Sequence, residues 1–402
     1  MGVLRREVYH RGVTVIENVM VTRLFCREGR IAGAFGLCRR TGRRYLFKAK
    51  AIILAAGSAT GLYLSYSASF LTTGDGYALA YDVGVPLQHL EFQEFTVIPV
   101  PRGRPIATGG IKPVTSFGAR FFNAQGERFM ERYDPQRLEL TARAIMVQAV
   151  AREVREGRGA FVDATSCKPT YFLKKVERLG VDWRRERVPI RPGVHTFLGG
   201  LVVDASGQTP VPGLYSYGEN GGHGHLYGAD RITGAVGAGF VLGYQAGRQA
   251  TLFAREHPPL EPAREDVARE EARIKAFGRD DLGPHALNPA VVASQLRRTA
   301  EEHLFVYREE HGLTQALGVF QEARHEKAGR VRARSLPALV RCLEVRHLAL
   351  TGELVARASL ARQESRGQFQ HVDHPQTDDR RTRIVLRDGG DGDPALEVQE
   401  IP

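Results

Sequence analysis

Residue types able to do chemistry concentrate between Arg191 and Gly247, in RPGVHTFLGGLVVDASGQTPVPGLYSYGENGGHGHLYGADRITGAVGAGFVLGYQAG. His195 stands just before a Gly pair, a short apolar strand ends in Gly218-Glu219, Arg231 is an isolated cation, and Gly234–Gly239 is a Gly/Ala run opening a helix. Each interior Gly costs a helix up to about 1 kcal/mol relative to Ala. A run of small residues there predicts either close backbone approach to a bulky ligand or a tight helix crossing in an ordinary core. His223 and His225 form a His-x-His pair, but the sequence places no third ligand beside them, so no metal site is expected.

Other candidates lie further upstream. AIILAAG, ending in Gly57, reads as a buried parallel strand whose carboxyl end meets a ligand. LTTGDGYALAYDVG is a Gly-rich turn into a helix, with Thr72 or Thr73 as cap. Asp75 sits where the free N–H groups of the first turn lie, either capping them or holding a ribityl or ribose hydroxyl. Arg143 is separated from nearby charges within a helix expected over Leu138–Glu156, and by itself it reads as a surface residue. Arg152, Glu153, Arg155 and Glu156 read as that helix's solvated end.

These residues need a large scaffold, and 402 residues provide for two or three domains. The net charge of +11 belongs to scattered arginines without an aromatic-spaced basic motif. Nucleic-acid binding is therefore not expected, and the charge fits a solvated surface, anionic ligands or a partner. No apolar run approaches the roughly 18–20 residues of a membrane span, and the start MGVLRREVYHRGVTVIE has no signal-peptide core. No integral membrane segment and a cytoplasmic location are expected. Cys26, Cys38, Cys167 and Cys342 lack metal-ligand or CxxC spacing and read as reduced, packed thiols.

Short β-type runs at Val13–Ile16, Met20–Phe25, Ile31–Leu37, Tyr45–Phe47 and Ala51–Ala55 open the chain. A block with less strand–helix alternation follows, including a hairpin-like FFNAQGERFMERYDP. Helical patterns occupy Glu261–Arg273, Val291–Tyr307, Leu313–Ala323 and Leu336–Leu360, and a hairpin with a Gly/Asp turn ends the chain. The expected organisation is 1–83 and 193–258 as two parts of one domain, 84–192 as an inserted substrate domain, 259–380 as a helical domain and 381–402 as a hairpin tail.

Several separated pieces match one family in order: AAGSATGLY, TTGDG, GERFMERYDP with its following helical Arg, HTFLGG, VPGLYSYGE, GADRITG and QESRG. Together they resemble the flavoprotein subunits of succinate dehydrogenase and fumarate reductase, within the FAD-dependent oxidoreductase 2 family, from about Val13 to about Asp379. The resemblance implies an α/β fold: a partial FAD-binding Rossmann-like domain, an inserted α+β capping domain and a C-terminal helical bundle. It implies non-covalent FAD, with Ala56, Gly57, Asp75, Glu219, Val236 and Gly237 on the cofactor. His195 and Arg231 would hold a substrate carboxylate, and Arg143 would donate or accept a proton opposite flavin N5. Arginine's pKa above about 12 makes it an unusual acid, so this role needs a relay of carboxylates, which the sequence does not reveal.

Departures from the family matter for substrate. Dicarboxylate members carry Phe-His-Pro-Thr where this chain has Glu94-Phe95-Thr96-Val97-Ile98-Pro99, so Thr96 falls at the substrate His. Their Thr-Glu pair is matched by Ile111-Lys112, and their Asn-Arg-Leu-Gly-Gly-Asn-Ser by Asp230-Arg231-Ile232-Thr233-Gly234-Ala235-Val236. One carboxylate clamp is lost, and a small organic acid other than succinate or fumarate is expected, with Thr96, Lys112 and Glu94 bearing on the choice. Relatives also begin with a Gly-x-Gly-x-x-Gly βαβ unit of roughly 30 residues that has no counterpart here. The chain is then read as N-terminally truncated, or as completed by a separate chain supplying that half. Partners expected are the organic acid and either such a chain or an electron-transfer partner. The alternative is a non-catalytic fragment or accessory protein unable to hold FAD alone.

Overall fold

A computed structural model describes residues 2–103, 105, 110–222, 235–390 and 392–401. Helix α1 (Gly2–His10) precedes an antiparallel sheet of β1 (Val19–Arg27), β2 (Arg30–Cys38) and β3 (Arg44–Lys48), in that order. The expected strand at Val13–Ile16 is instead exposed and irregular, because the β1–β2 ladder begins at Val19↔Cys38 and extends no further back. Next come β4 (Ile52–Leu54) and α2 (Asp75–Tyr81).

The inserted segment holds β5 (Leu87–Gln88), β6 (Gln93–Pro99), α3 (Lys112–Thr115), β7 (Arg120–Phe122), α4 (Met130–Tyr133), α5 (Arg143–Arg155), β8 (Phe161–Asp163), α6 (Tyr171–Glu177) and most of β9 (Val188–Phe197). Four of these strands form one antiparallel sheet in the order β6-β9-β8-β7. The hairpin expected after Phe121 does not form. Asn123 Oδ1 instead accepts from the N–H groups of Gln125 and Glu127, turning the chain into α4, and β7 takes its partner from β8.

The helix expected from Leu138 is likewise broken. Asp134 accepts from the Thr141 hydroxyl at 2.6 Å and from the Arg137 N–H at 3.0 Å, holding a separate 3-10 turn at Leu138–Leu140, so α5 begins at Arg143. Its far end is not solvated either. Glu153 is wholly buried and accepts hydrogen bonds from Arg132, Arg158, Tyr133 and Asn123.

The chain continues through β10 (Gly200–Leu201), β11 (Leu214–Ser216), α7 (Ala235–Glu256) and α8 (Arg264–Ala276). A helical layer follows, of α9 (Pro289–His303), α10 (Glu310–Glu322) and α11 (Leu336–Ala361), with β12 (Tyr307–Arg308) and β13 (Gln370–His371) paired in parallel beside it. Gly352 allows the α10–α11 contact, since a Cβ there would lie 2.2 Å from the Phe320 ring. The last hairpin, β14 (Thr382–Asp388) and β15 (Pro394–Glu400), completes a second four-stranded sheet in the order β10-β5-β14-β15.

Buried polar groups fasten β6 to this helical layer. Arg308, 1% exposed, donates to the Glu91 and Phe305 carbonyls and to the Ser359 hydroxyl. Arg362 pairs at 2.7 Å with both Glu91 and Glu364. The Phe95 N–H donates to Gln368 Oε1, and the Phe95 ring meets Phe305 edge-on at 4.9 Å.

Glu153 gives this packing a pH dependence. Burial pushes its carboxyl up, but hydrogen bonds from Arg158, Arg132, Asn123 and Tyr133 outweigh that and bring it down to about 2. A depressed carboxyl stabilises the fold above its ordinary value of 4.5 and loses that contribution as pH falls toward about 2. Glu153→Gln is expected to destabilise at pH 7 by about 3 kcal/mol and to flatten the acid limb of the Tm–pH curve below pH 4.5. Thermal unfolding of both proteins from pH 7 to 3 checks it.

Candidate active site

Strands β4 and β11 lie in parallel with Ile52, Ile53 and Leu54 facing Leu214, Tyr215 and Ser216, so both carboxyl ends open on the same side. That is where open α/β sheets bind ligands. Two side chains tie the emerging loops together: the Ala56 N–H donates to Asn220 Oδ1 at 3.2 Å, and Ser58 Oγ donates to Glu219 Oε2 at 2.9 Å. Gly57 turns between them at φ 78°, where an L side chain is strained and a Cβ would stand 3.0 Å from Thr72 Cγ2. Tyr77, wholly buried, donates to the Glu219 carbonyl at 3.0 Å, so Glu219 is positioned through both backbone and carboxylate.

Neither Thr72 nor Thr73 caps α2. Its N-cap is Gly74 at φ 81°, and a Cβ there would be 2.3 Å from Thr351 Oγ1. Thr73 instead donates to Asp75 Oδ1 at 2.8 Å, and the buried His347 of α11 meets the same oxygen at 2.6 Å. Burial favours a protonated Asp75, yet the hydrogen bond and charge of His347, then Thr73, hold the carboxyl below its ordinary value. His347, distant in sequence, carries no motif, and only the fold reveals it.

Helix α7 packs Ala246 and Ala250 against Tyr215 of β11. Gly237 is exposed, and Cβ atoms added at Gly237, Gly239, Gly243 or Gly247 would meet nothing within 4 Å. The small residues therefore make no tight crossing with the described residues. Val236 lies in the first turn of α7, although its side chain, like the whole of Arg231, His223 and His225, lies outside what is described.

The opposite wall is built on β6 and β9. Their register runs Glu94↔Thr196 and then Phe95↔Val194, which leaves His195 as the extra residue of a β-bulge. Ser67 Oγ lies 2.6 Å from His195 Nδ1. Arg143, the first residue of α5, forms an ion pair with Glu94, whose side chain has 0% exposure. Burial first, then the Arg143 charge, hold the His195 imidazole below its ordinary value of 6.5, with Glu219 pulling the other way. Arg143 and Glu219 thus both act electrostatically on His195.

Thr96 is buried on the same strand, and a Cβ on Gly110 would lie 2.4 Å from its hydroxyl. Gly110 has φ 104°, so the loop before Ile111 can approach this closely only as glycine. Lys112 opens α3, its side chain outside the description. Glu94, expected to bear on the choice of substrate, supplies the carboxylate beside Arg143, a pairing that the sequence did not reveal. Its departure from the family pattern at Glu94–Pro99 was the available signal.

Residues 1–235 match the FAD binding domain family, and residues 293–401 match the fumarate reductase flavoprotein C-terminal family. The chain is 32% identical over 391 residues to an uncharacterised FAD-dependent oxidoreductase of Methanocaldococcus jannaschii, covering 93% of this chain and 70% of that protein. It is 30% identical over 408 residues to a component of the CoM/CoB fumarate reductase of Methanothermobacter marburgensis, covering 95% and 72%. The fold superposes on FrdA of E. coli quinol fumarate reductase with a TM-score of 0.83, 26% identity, and coverage of 95% and 71%. Fold and sequence together define a flavoprotein oxidoreductase. The chain belongs to the FAD-dependent family that includes L-aspartate oxidase and the flavoprotein subunits of succinate dehydrogenase and fumarate reductase. No helix among the described residues is long and apolar enough to cross a membrane.

The residues present fit FAD. Asn220 is wholly buried and its Nδ2 has no hydrogen-bond acceptor among the described residues, at the crevice where Gly57, Ser58 and Glu219 converge. A ligand oxygen or ring nitrogen would satisfy it. Asn220→Ala is expected to free the Ala56 N–H, remove that donor and weaken FAD binding about tenfold. The ratio of flavin absorbance to protein after gel filtration measures this, with circular dichroism confirming that the fold is retained.

Proposed function

We propose that this oxidoreductase interconverts a C–C and a C=C bond of an organic acid other than an ordinary dicarboxylate. The observation that carries the reading is the ion pair of the half-buried Arg143 with the buried Glu94, the Arg143 charge also acting on His195. FAD, when bound, supplies the hydride acceptor or donor at N5. In the oxidising direction one substrate carbon loses a hydride, its neighbour loses a proton, and the double bond forms between them. Arg143 passes one of its guanidinium protons to the Glu94 carboxylate and takes the substrate proton in its place, so the charge on Arg143 is unchanged and the proton leaves through Glu94. Glu94 makes the unusual choice of Arg workable, because a buried acceptor in direct contact shortens the transfer. The reverse reaction runs the same residues in the opposite sense.

His195 and Arg231 are assigned to a substrate carboxylate or carbonyl, with Arg231 the cation. Charge development next to that group is stabilised by such fixed donors. Ala56, Gly57, Asp75, Glu219, Val236 and Gly237 are assigned to the cofactor, Glu219 toward its hydroxyl-bearing chain and the start of α7 toward its ring. The substrate assignment rests on charge. His195 is uncharged at neutral pH and Glu94 neutralises Arg143, so the described wall offers a second carboxylate little cationic help. Thr96 and Lys112 are assigned to the far side of the substrate. We further assign an electron-transfer partner.

Testing uses FAD-loaded protein and a panel of saturated and unsaturated acids with a redox dye. A monocarboxylate or bulkier acid is expected to exceed succinate and fumarate in kcat/KM, and fastest turnover of either dicarboxylate would overturn the substrate assignment. On the best substrate, Glu94→Gln should lower kcat about 10²–10³-fold, within the range for general acid–base groups, without loss of flavin. Arg143→Ala should abolish turnover with flavin retained, whereas a colourless variant would make Arg143 a structural residue.

A further inference from the structure

Ser67 belongs to none of the motifs that carry the family resemblance, yet it is 6% exposed and lies 2.6 Å from the ring of His195, assigned above to the substrate. Its segment runs beside β9 like an additional strand. The Val194 N–H donates to the Ser65 carbonyl and the Ser67 N–H to the Val194 carbonyl, both at 2.9 Å. Glu301 of α9 pins this arrangement from below, accepting from the Ser65 N–H at 3.1 Å and from Arg191 of β9 at 2.7 Å. The bulge at His195 then turns its imidazole onto the Ser67 hydroxyl.

Hydrogen-bond accounting fixes the direction. A serine hydroxyl has one proton to donate. Among the described residues His195 Nδ1 is the only group within hydrogen-bond distance of Ser67 Oγ. Were Nδ1 protonated, the Ser67 proton would have no acceptor in a buried setting, which costs about 1–3 kcal/mol. We infer that Ser67 is a positioning residue that donates to His195 Nδ1, so that the ring carries its proton on Nε2 and presents a neutral N–H donor to a substrate oxygen. Burial and Arg143 favour the uncharged ring independently, Glu219 opposing them.

This deepens the proposed reaction and rests on it for the identity of the acceptor. It makes His195 a directional hydrogen-bond donor and leaves the cationic part of substrate recognition to Arg231. A hydroxyl in contact with Nδ1 also fixes the ring plane, which a free imidazole would sample broadly.

Nitrogen-15 NMR of histidine-labelled, FAD-loaded protein tests the inference without turnover, with His195→Gln assigning the resonances. The wild type should show an unprotonated, hydrogen-bonded Nδ1 and a protonated Nε2. Ser67→Ala should shift Nδ1 toward a free acceptor, Ser67→Thr should restore it, and flavin content should not change in either. On the best acid found, Ser67→Ala should lower kcat/KM about tenfold, with recovery in Ser67→Thr. A wild-type ring protonated at Nδ1, or an Nδ1 resonance unmoved by Ser67→Ala, overturns the inference. If Ser67→Ala does not fold, the wild-type and Ser67→Thr spectra still decide. Because the tautomer is read without substrate, its failure leaves the proposed reaction standing, and absent turnover with the expected tautomer overturns only the reaction.

Discussion

Glu94 is shut away from water, and the cation that balances it stands at the wrong end of a helix for its charge. A helix N-terminus carries about half a positive charge, so Arg143 as first residue of α5 is disfavoured there. Ala142 before it supplies no side-chain cap, and the first turn has no acidic residue. Nothing local to α5 asks for an arginine at this place. What holds it is Glu94, and removing the arginine would leave that buried carboxylate without its balancing cation, which is destabilising. Strand β6 and helix α5 are thereby locked in mutual position, and the rest of the substrate wall takes its coordinates from them. The bulge at His195 is defined by the pairing of β9 with β6, and Ser67 reaches the ring only because its segment pairs with β9.

A wall that depends on one buried pair needs a stiff foundation. Arg308 and Arg362 sit beneath β6 with their guanidinium groups nearly free of solvent, bonded to carbonyls, carboxylates and hydroxyls from β6, the turn before it, α11 and the segment after that helix. These groups cost desolvation that apolar side chains would avoid. They fix register instead, since a sliding β6 would strand several buried donors at once. The paired Phe95 and Phe305 rings can slip, but the polar contacts around them cannot. Polar burial here trades stability for position, and a site that must hold a proton donor against a second reactant benefits from that trade.

Local patterning revealed the helical layer and the first sheet well. Apolar spacing placed α9, α10 and α11 within a few residues, and β1, β2 and β3 within one or two. It failed where a single polar side chain redirects the backbone. Asp134 splits the helix expected from Leu138, and Asn123 converts an expected hairpin into a turn and helix. Glu153 looked solvated because its partners Arg132, Arg158 and Asn123 come from other turns of the chain. Motif resemblance pointed to Arg143, His195 and Glu219, and the fold brings Arg143 and Glu219 within electrostatic reach of His195. It did not point to Ser67, Asn220, His347 or the contact partner of Arg143, since each acts through a contact spanning dozens to hundreds of residues. Resemblance transmits what relatives share, whereas these contacts need the chain to be folded.

On the proposed substrate assignment, the loss of one carboxylate clamp would be a change of architecture rather than of one side chain. Thr96 occupies the place of an imidazole, but its hydroxyl is already covered by the backbone at Gly110, where a Cβ would intrude to 2.4 Å. Gly110 keeps φ 104°, a conformation that other residues rarely adopt, so the close approach and the glycine belong together. A larger side chain at position 96 would have to displace that loop, and with it the start of α3 at Lys112. The neighbouring Glu94 compounds the change, because it balances the Arg143 charge and leaves the pair with no net charge to offer a second anion. Thr96 and Gly110 are thus tied together, and under the proposed assignment they would shorten the site on this side while Glu94 leaves it without net positive charge. Restoring a histidine alone would rebuild neither the space nor the electrostatics that a second carboxylate requires.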